Sequence, residues 1–173
     1  MAAKHRWVLT DVENGIWVDG LELTAKDLGL KGASSASVRK RTLRGGLSDG
    51  VDVVEVNNGA LTFTVLPTRG MGVWRGDYKG IPIGWLAPLR GPVNPSFVHA
   101  NERGGLGWLG GFDECIVRCG LESNGSPGKD IMPNNMGEAT EMTLNLHGRI
   151  ANIPAHQAAV DVTGGKAPEI SVT

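Results

Sequence analysis

Cysteine and long apolar runs are both scarce in this sequence. It has two cysteines, Cys115 and Cys119, in 173 residues. On an extended strand their Cα atoms would lie about 13 Å apart, which is too far for a disulfide. Two cysteines without a second pair also make a poor zinc site. We therefore expect two reduced thiols in the core, no metal or other cofactor, and a cytoplasmic protein.

An excess of charge of one sign is absent as well. The chain has 17 Lys and Arg against 18 Asp and Glu, so no overall field attracts nucleic acid or a membrane surface. We interpret the one basic run, Arg39-Lys40-Arg41 with Arg44, as a solvated face rather than a phosphate site. No apolar run approaches the roughly 20 residues that span a bilayer, and residues 1–14 lack the apolar region of a secretory signal. Neither nucleic acid nor a membrane is expected as a partner.

Sustained helical periodicity is the third absence, and it argues against a helical fold. Only residues 24–32 could form a helical turn, with Thr24 as a cap and Gly32 as a stop. The 26 glycines and 9 prolines are typical of short strands joined by tight loops. No linker or change of composition divides the chain, so we expect an all-β protein with one domain over residues 1–173.

Strand signals are frequent along the chain. Residues 51–56 and 60–66 flank an Asn-Asn-Gly turn at 57–59, which predicts a β-hairpin that ends at Pro67. Residues 1–15 could be a flexible lead-in or a first edge strand. Further strands are predicted at 71–75, 81–86, 113–121, 141–150, 157–163 and 169–173. Residues 88–111 are predicted to be an irregular loop that forms a binding-site wall, and residues 122–138 a polar loop.

The predicted strand at 141–150 carries the most informative polar side chains. Period-2 geometry would place Asn145, His147 and Arg149 on one face of that strand. An amide, an imidazole and a guanidinium fork together suit the hydroxyl groups of a sugar. The ordinary solvent face of an antiparallel strand is the other interpretation, and the pattern by itself favours it.

Two further arginines and two tryptophans are candidate binding groups. Arg118 lies in a mostly apolar segment, so it either borders a pocket or pairs with Glu114 or Glu122. Glycines beside Arg69 would let a ligand or another backbone approach it, although the pattern slightly favours a bulge turn with a solvated arginine. Most tryptophans are expected to pack in the core. Trp85 and Trp108, which lie among Gly and Pro, are the better candidates for stacking on a sugar.

Several of these segments resemble a known family. They are residues 66–72 (LPTRGMG), 105–114 (GLGWLGGFDE), 118–125 (RCGLESNG) and 146–149 (LHGR). They are similar to bacterial members of the galactose mutarotase-like (aldose 1-epimerase) superfamily, in the group called DUF4432. The resemblance covers about residues 45–173. Its most specific element is the His-Gly step. The resemblance as a whole implies an antiparallel β-sandwich that holds a sugar in a concave groove.

The resemblance also implies roles for individual residues. His147 would be the acid/base residue that contacts the sugar, and the binding groups would be Arg149, Arg118, Arg69, Asn145 and Trp108. Mutarotation needs one group to remove the anomeric proton and another to protonate the ring oxygen. In the family, a second histidine and a carboxylate base lie in a C-terminal half. We therefore expect this chain to be an N-terminal half with little activity of its own.

Three hypotheses about function follow from these observations. The first is a sugar isomerase domain of the mutarotase type, with a small-molecule sugar as partner. The second is a sugar-binding module without catalysis. The third is a structural β-sandwich that forms homo-oligomers through exposed sheet edges.

Overall fold

Two antiparallel sheets pack face to face and form the body of the protein. The computed structural model describes residues 4–30, 35–165 and 168–173. The larger sheet has six strands in the order β3-β4-β5-β6-β7-β8, and the smaller has four in the order β12-β11-β1-β2. Two more strands, β9 and β10, form a separate hairpin. The all-β antiparallel sandwich expected from the sequence is confirmed.

The strand bounds, in chain order, are as follows. They are β1 Lys4–Asp11, β2 Ile16–Trp17, β3 Leu21–Thr24, β4 Ser37–Thr42, β5 Asp52–Asn57, β6 Leu61–Leu66, β7 Gly72–Tyr78, β8 Ile81–Ile83, β9 Gly128–Pro133, β10 Ala139–Leu144, β11 Gln157–Thr163 and β12 Glu169–Val172. Helical structure in the described residues is limited to single turns. These lie at Gly46–Ser48, Pro95–Phe97, Glu102–Gly105, Gly107–Gly110 and Ile150–Asn152.

The core lies between the two sheets. Strand alternation sends Val54 into it, together with Leu9 of β1 and Val160 of β11, and all three are fully buried. The same alternation points Val53 to the opposite face of the large sheet, where it packs with Leu66 and Trp74. β-Branched residues suit both faces because they pack well on a pleated surface. Irregular segments beyond residue 84 cover the second face and carry the candidate site.

The predicted β-hairpin at 51–66 is confirmed. Val54 lies opposite Val65, and Asn57 lies opposite Thr62. The turn is closed by side chains, since Asn57 accepts from the amide of Gly59 and Asn58 accepts from the amide of Leu61. The strand predicted at 157–163 is present with those bounds, and the strands predicted at 71–75, 81–86 and 169–173 are present with shifted ends.

The strand that was one of two alternatives for residues 1–15 is present as β1, but it is not at an edge, because it lies between β11 and β2. Its pairing partner β11 is about 150 residues away, and Lys4 lies opposite Thr163. Part of the helical turn expected at 24–32 is present: β3 ends at Thr24, and the amide of Leu28 donates to the Thr24 carbonyl over 3.0 Å, the i→i−4 bond of one turn that does not continue as a helix. Residues 1–3 and 31–34 lie outside the described part.

One residue of the basic run and both cysteines differ from expectation. Arg39, Arg41 and Arg44 are exposed as expected. Lys40 is buried, and its Nζ lies 3.1 Å from Asp52 Oδ2, so it is not part of that solvated face. Cys119 is exposed and Cys115 is half-buried, so neither is a core thiol. Both cysteines are free.

Two predicted segments have another structure. Residues 113–121 are irregular and make one isolated bridge, between Ile116 and Val73. The segment predicted as a polar loop at 122–138 contains strand β9, whose residues are all exposed. Strand β9 was missed because it buries nothing, so its sequence shows no apolar alternation. The predicted oligomerisation through the sheet edges stays a prediction.

Candidate functional site

A left-handed turn immediately after β10 presents the histidine of the site. The strand ends at Leu144, and His147 and Gly148 have φ angles of 57° and 71°. A strand needs negative φ, so the predicted strand at 141–150 is wrong beyond Leu144. Asn145, His147 and Arg149 therefore do not share a strand face. A Cβ at position 148 would lie 2.7 Å from two carbonyl oxygens of the 120–125 segment, so glycine lets that segment approach closely.

Backbone hydrogen bonds fix His147 against this same segment. Its amide donates to Gly125 over 3.0 Å, and its carbonyl accepts from the amide of Gly120 over 2.9 Å. A bulky residue rarely adopts this backbone conformation, which persists only where the surroundings hold it. The imidazole is therefore placed by a strained but well-supported turn.

The imidazole Nδ1 has two neighbours of opposite kind. The amide of Gly125 donates to it over 3.2 Å, and Asn124 Oδ1 lies 3.3 Å away and can only accept. The first neighbour suits an unprotonated Nδ1, and the second suits a protonated one. Nε2 has no hydrogen-bond partner among the described residues. The ring can thus exchange a proton through Nε2 while Nδ1 keeps a partner in either state.

Trp108 packs edge-on against the imidazole. The two ring centroids are 5.0 Å apart with an interplanar angle of 70°. Phe112 stacks on Trp108 at 4.9 Å, and Trp85 follows Phe112 at 5.2 Å. Trp108 is buried, so its broad face is not available for stacking on a sugar without local opening. Trp85 is 48% exposed and is the more accessible indole.

Two buried polar atoms beside His147 have no hydrogen-bond partner within the described residues. They are the Trp108 Nε1–H, a donor, and Asn145 Oδ1, an acceptor. Asn145 otherwise donates from Nδ2 to Asn101 over 3.3 Å. Buried polar atoms without a partner are unusual in a folded protein, and a hydroxyl group or a water could satisfy either of these two.

The predicted arginines fall into three different environments. Arg149 is exposed and donates to Glu122 over 2.8 Å. Arg118 is exposed, and neither predicted carboxylate pairs with it, because Glu122 binds Arg149 and Glu114 binds Arg69. The structure therefore brings His147 and Trp108 into contact, with Asn145 and Arg149 two residues away from His147 in sequence, whereas Arg118 and Arg69 are placed separately.

Arg69 is inside the protein. Its guanidinium donates to Glu114 over 2.5 Å, to the Val93 carbonyl over 2.7 Å and to Asn152 over 3.1 Å. The backbone that approaches beside it is that of Ile150, which a Cβ on Gly70 would strike. Arg69 therefore ties three irregular segments together, and its side chain is 1% exposed.

A cleft of about 550 Å³ lies at Trp85, the aromatic ring in this row of contacts that is farthest from His147. Trp74 and Arg75 of β7 form one side, and Trp85, Arg90 and Asp113 line the rest. Asp113 is buried and accepts from Trp74 Nε1 over 2.9 Å. Burial raises the pKa of Asp113 above its ordinary value of 3.8, the neighbouring Glu114 raises it further, and the Trp74 hydrogen bond opposes both. Sequence reasoning missed Arg75, Arg90 and Asp113, although Asp113 lies inside the recognised GLGWLGGFDE segment.

The described residues contain neither a cluster of metal ligands nor a helix that could span a membrane. No group of three or more His, Cys, Asp or Glu is placed to hold a metal ion. None of the helical turns there is long and apolar enough to cross a membrane.

The fold and the histidine turn together define a β-sandwich of the galactose mutarotase-like class. A crystal structure from Klebsiella pneumoniae subsp. pneumoniae MGH 78578, provisionally described as an aldose 1-epimerase, matches with a TM-score of 0.84 at 33% sequence identity. The match covers 98% of this chain and 42% of the other, so this chain spans less than half the length of that protein. No curated protein matches the chain.

The family is shown by a sequence model. The model described as "Domain of unknown function (DUF4432)" matches residues 48–173. The chain therefore belongs to the DUF4432 family, and the resemblance drawn from the sequence is confirmed.

Proposed function

We propose that this chain is a carbohydrate-binding domain of the aldose 1-epimerase type, with His147 as an acid/base residue. The observation that carries the proposal is the arrangement around its ring. Nδ1 has both a donor and an acceptor within 3.3 Å, and Nε2 has no partner among the described residues. A histidine held in this way presents Nε2 as a group that can donate or accept a proton.

Mutarotation would use that proton exchange in two steps. A base removes the proton of the anomeric hydroxyl while an acid protonates the ring oxygen, and the bond between the anomeric carbon and the ring oxygen breaks. After the aldehyde group rotates, the hydroxyl that was the ring oxygen attacks the opposite face of the carbonyl, and the two protons return to their original groups. His147 takes one of these two roles. The similarity to the Klebsiella protein supports a sugar as the partner.

The other role needs a second group. Among the described residues no carboxylate contacts His147, and Glu122 is held by Arg149. We propose that this chain is one mutarotase-like domain within a longer protein, and that its own residues supply the binding surface and one proton-transfer group. A sugar-binding module without catalysis is the second candidate, favoured by this same absence of a paired carboxylate.

Anomer interconversion tests the proposal directly. Freshly dissolved α-D-glucose and α-D-galactose would be followed by proton NMR with the chain and with His147→Ala. His156→Ala is the matched control, because His156 is exposed and belongs to a loop before β11. Acceleration that His147→Ala abolishes and His156→Ala preserves supports the isomerase. Saturable binding without acceleration supports the binding module, and the absence of both contradicts the proposal.

A further inference from the structure

The cleft beside β7 holds a combination of groups that the histidine site does not. Its walls carry two guanidinium groups, a half-exposed indole and a buried carboxylate, contributed by Arg75, Arg90, Trp85 and Asp113. Its volume of about 550 Å³ lies within the range of small-molecule sites. Trp108 and Phe112 separate it from His147.

Both arginines are available for a ligand. Arg75 and Arg90 are exposed, and neither is in an ion pair with a carboxylate of the described residues. Arg75 is nevertheless ordered, because its guanidinium carbon lies 4.0 Å from the centre of the Trp74 ring. A guanidinium stacked on an indole keeps its edge donors free for a planar or tetrahedral anion.

The backbone at Arg90 is unusual for an arginine. Its φ is 55°, and a hydrogen bond from its amide to the Ala87 carbonyl closes the turn. A left-handed conformation is costly for such a residue and is found where the surroundings impose it. The turn places Arg90 on the cleft wall, across from strand β7.

The remaining groups suit the body of a sugar. Trp85 donates from its Nε1 to the Glu114 carbonyl over 3.2 Å, and this bond and Phe112 hold an indole that is 48% exposed. Aromatic rings of this kind pack on the apolar face of a sugar ring. Asp113 accepts from Trp74 at Oδ2 and has the backbone amide of Gly91 as a further donor, and the remaining lone pairs of its carboxyl group can accept from a hydroxyl.

We infer that this cleft binds a carbohydrate that carries an acidic group, a phosphate or a carboxylate. Arg75 and Arg90 take the anion, Trp85 takes the ring, and Asp113 accepts from a hydroxyl. Two cations against one carboxylate leave the cleft net positive although the whole chain is close to neutral. The inference rests on the proposed function only for the ligand's being a sugar, since the cleft residues are not those around His147.

Isothermal titration calorimetry on the full chain tests the inference with four probes. These are glucose, glucose 6-phosphate, glucuronate and inorganic phosphate. At least one sugar anion should bind about tenfold or more tightly than glucose, because charge-assisted hydrogen bonds exceed neutral ones by that much. The tighter of the two sugar anions identifies the acidic group. Inorganic phosphate should bind more weakly than the preferred sugar anion, since it lacks the ring.

Variants locate the binding. Arg75→Gln and Arg90→Gln should each weaken the sugar anion about tenfold and leave glucose unchanged. Arg41→Gln, an exposed arginine on β4, is the matched control and should change nothing. Circular dichroism melting shows whether each variant is folded. A folded Arg90→Gln or Arg75→Gln with unchanged affinity overturns the inference, and so does equal binding of glucose and both anions or no binding at all.

The same experiment separates this inference from the proposed function. His147→Ala should leave the sugar anion bound in the cleft and abolish only anomer interconversion. If a variant loses anomer interconversion but still binds the sugar anion, the change affects the His147 site alone. If a variant loses sugar-anion binding but keeps interconversion, the change affects the cleft alone. If inorganic phosphate binds as tightly as glucose 6-phosphate, the cleft is a bare anion site and its carbohydrate part is overturned.

Discussion

Arg69 and Glu114 form an ion pair in the interior of the protein, 45 residues apart in sequence. Their side chains are 1% and 0% exposed, and Glu114 also accepts from the amide of Asp113 over 3.0 Å. The guanidinium reaches the Val93 carbonyl and Asn152 as well. One buried cation thus connects the segment before β7 with the irregular segments on both sides of the candidate site.

Replacing Arg69 should destabilise the fold strongly. Arg69→Met leaves Glu114 buried without its cation, which typically costs about 3–5 kcal/mol in the free energy of unfolding. Urea denaturation of both proteins measures the difference. Arg149→Met is the control, because its ion pair with Glu122 is at the surface and should contribute about 1 kcal/mol or less. A similar small effect for both variants would contradict the structural role of Arg69.

Glycine at position 148 should be required for the histidine turn. Gly148→Ala places a Cβ at positive φ and 2.7 Å from the carbonyls of Gly120 and Ser123. We expect a loss of about 1–3 kcal/mol in the free energy of unfolding, together with shifted amide resonances at 120–125 and 147. Gly128→Ala is the matched control, since a Cβ there meets nothing within 4 Å. Equal stability of the two variants would argue against the close approach.

The raised pKa of Asp113 predicts how stability depends on pH. Burial is the main cause, so the folded state holds the Asp113 proton more tightly than the unfolded state does. The stabilisation that this provides is complete below 3.8 and is lost as the pH rises through the folded pKa. Asp113→Asn should therefore remove a contribution to the free energy of unfolding that becomes smaller as the pH rises. The asparagine side-chain oxygen can still accept the hydrogen bond from Trp74 Nε1.

Denaturation at a series of pH values checks this sign. Relative to Asp113→Asn, the wild-type protein should be most stable at about pH 3.8 and below, and should lose that advantage towards neutral pH. Asp77→Asn, on strand β7, serves as the control variant. If the free energies of unfolding of wild type and Asp113→Asn differ by the same amount at every pH, the folded and unfolded states bind the Asp113 proton equally, which would contradict the prediction.

The two cysteines should react at different rates with a thiol reagent. Cys119 is exposed and Cys115 is half-buried, so the native protein should show a fast phase and a slower one. Cys119→Ser should remove the fast phase, and Cys115→Ser should remove the slow one. The reaction is followed by absorbance with a disulfide reagent. If both thiols react in a single phase, the difference in exposure between Cys115 and Cys119 is contradicted.

The sheet regions were largely predictable from the sequence. The hairpin of β5 and β6 depends on alternation and on an Asn-Asn-Gly turn, which act between close neighbours. The central position of strand β1 was not predicted, because it depends on pairing with β11, about 150 residues later. Strand β9 was missed because both of its faces are exposed and alternation is a signal of burial.

The sequence predicted candidate residues for the site, but it did not predict their geometry. His147 and Trp108 were each chosen from their own surroundings, and only the folded chain shows their rings 5.0 Å apart. The period-2 pattern through 141–150 placed Asn145 and Arg149 beside His147 on a strand. The left-handed turn at Gly148 ends that pattern, and it forms because the 120–125 segment packs against it.

The sequence by itself determined the all-β class, the hairpin at 51–66 and the family to which the chain belongs. Tertiary structure alone decided which charged side chains are inside, as with Arg69 and Lys40, and which aromatic and guanidinium groups line the cleft. The reason is physical. Alternation and turn preference act between residues a few positions apart, whereas a buried charge is stable only where a distant carboxylate meets it.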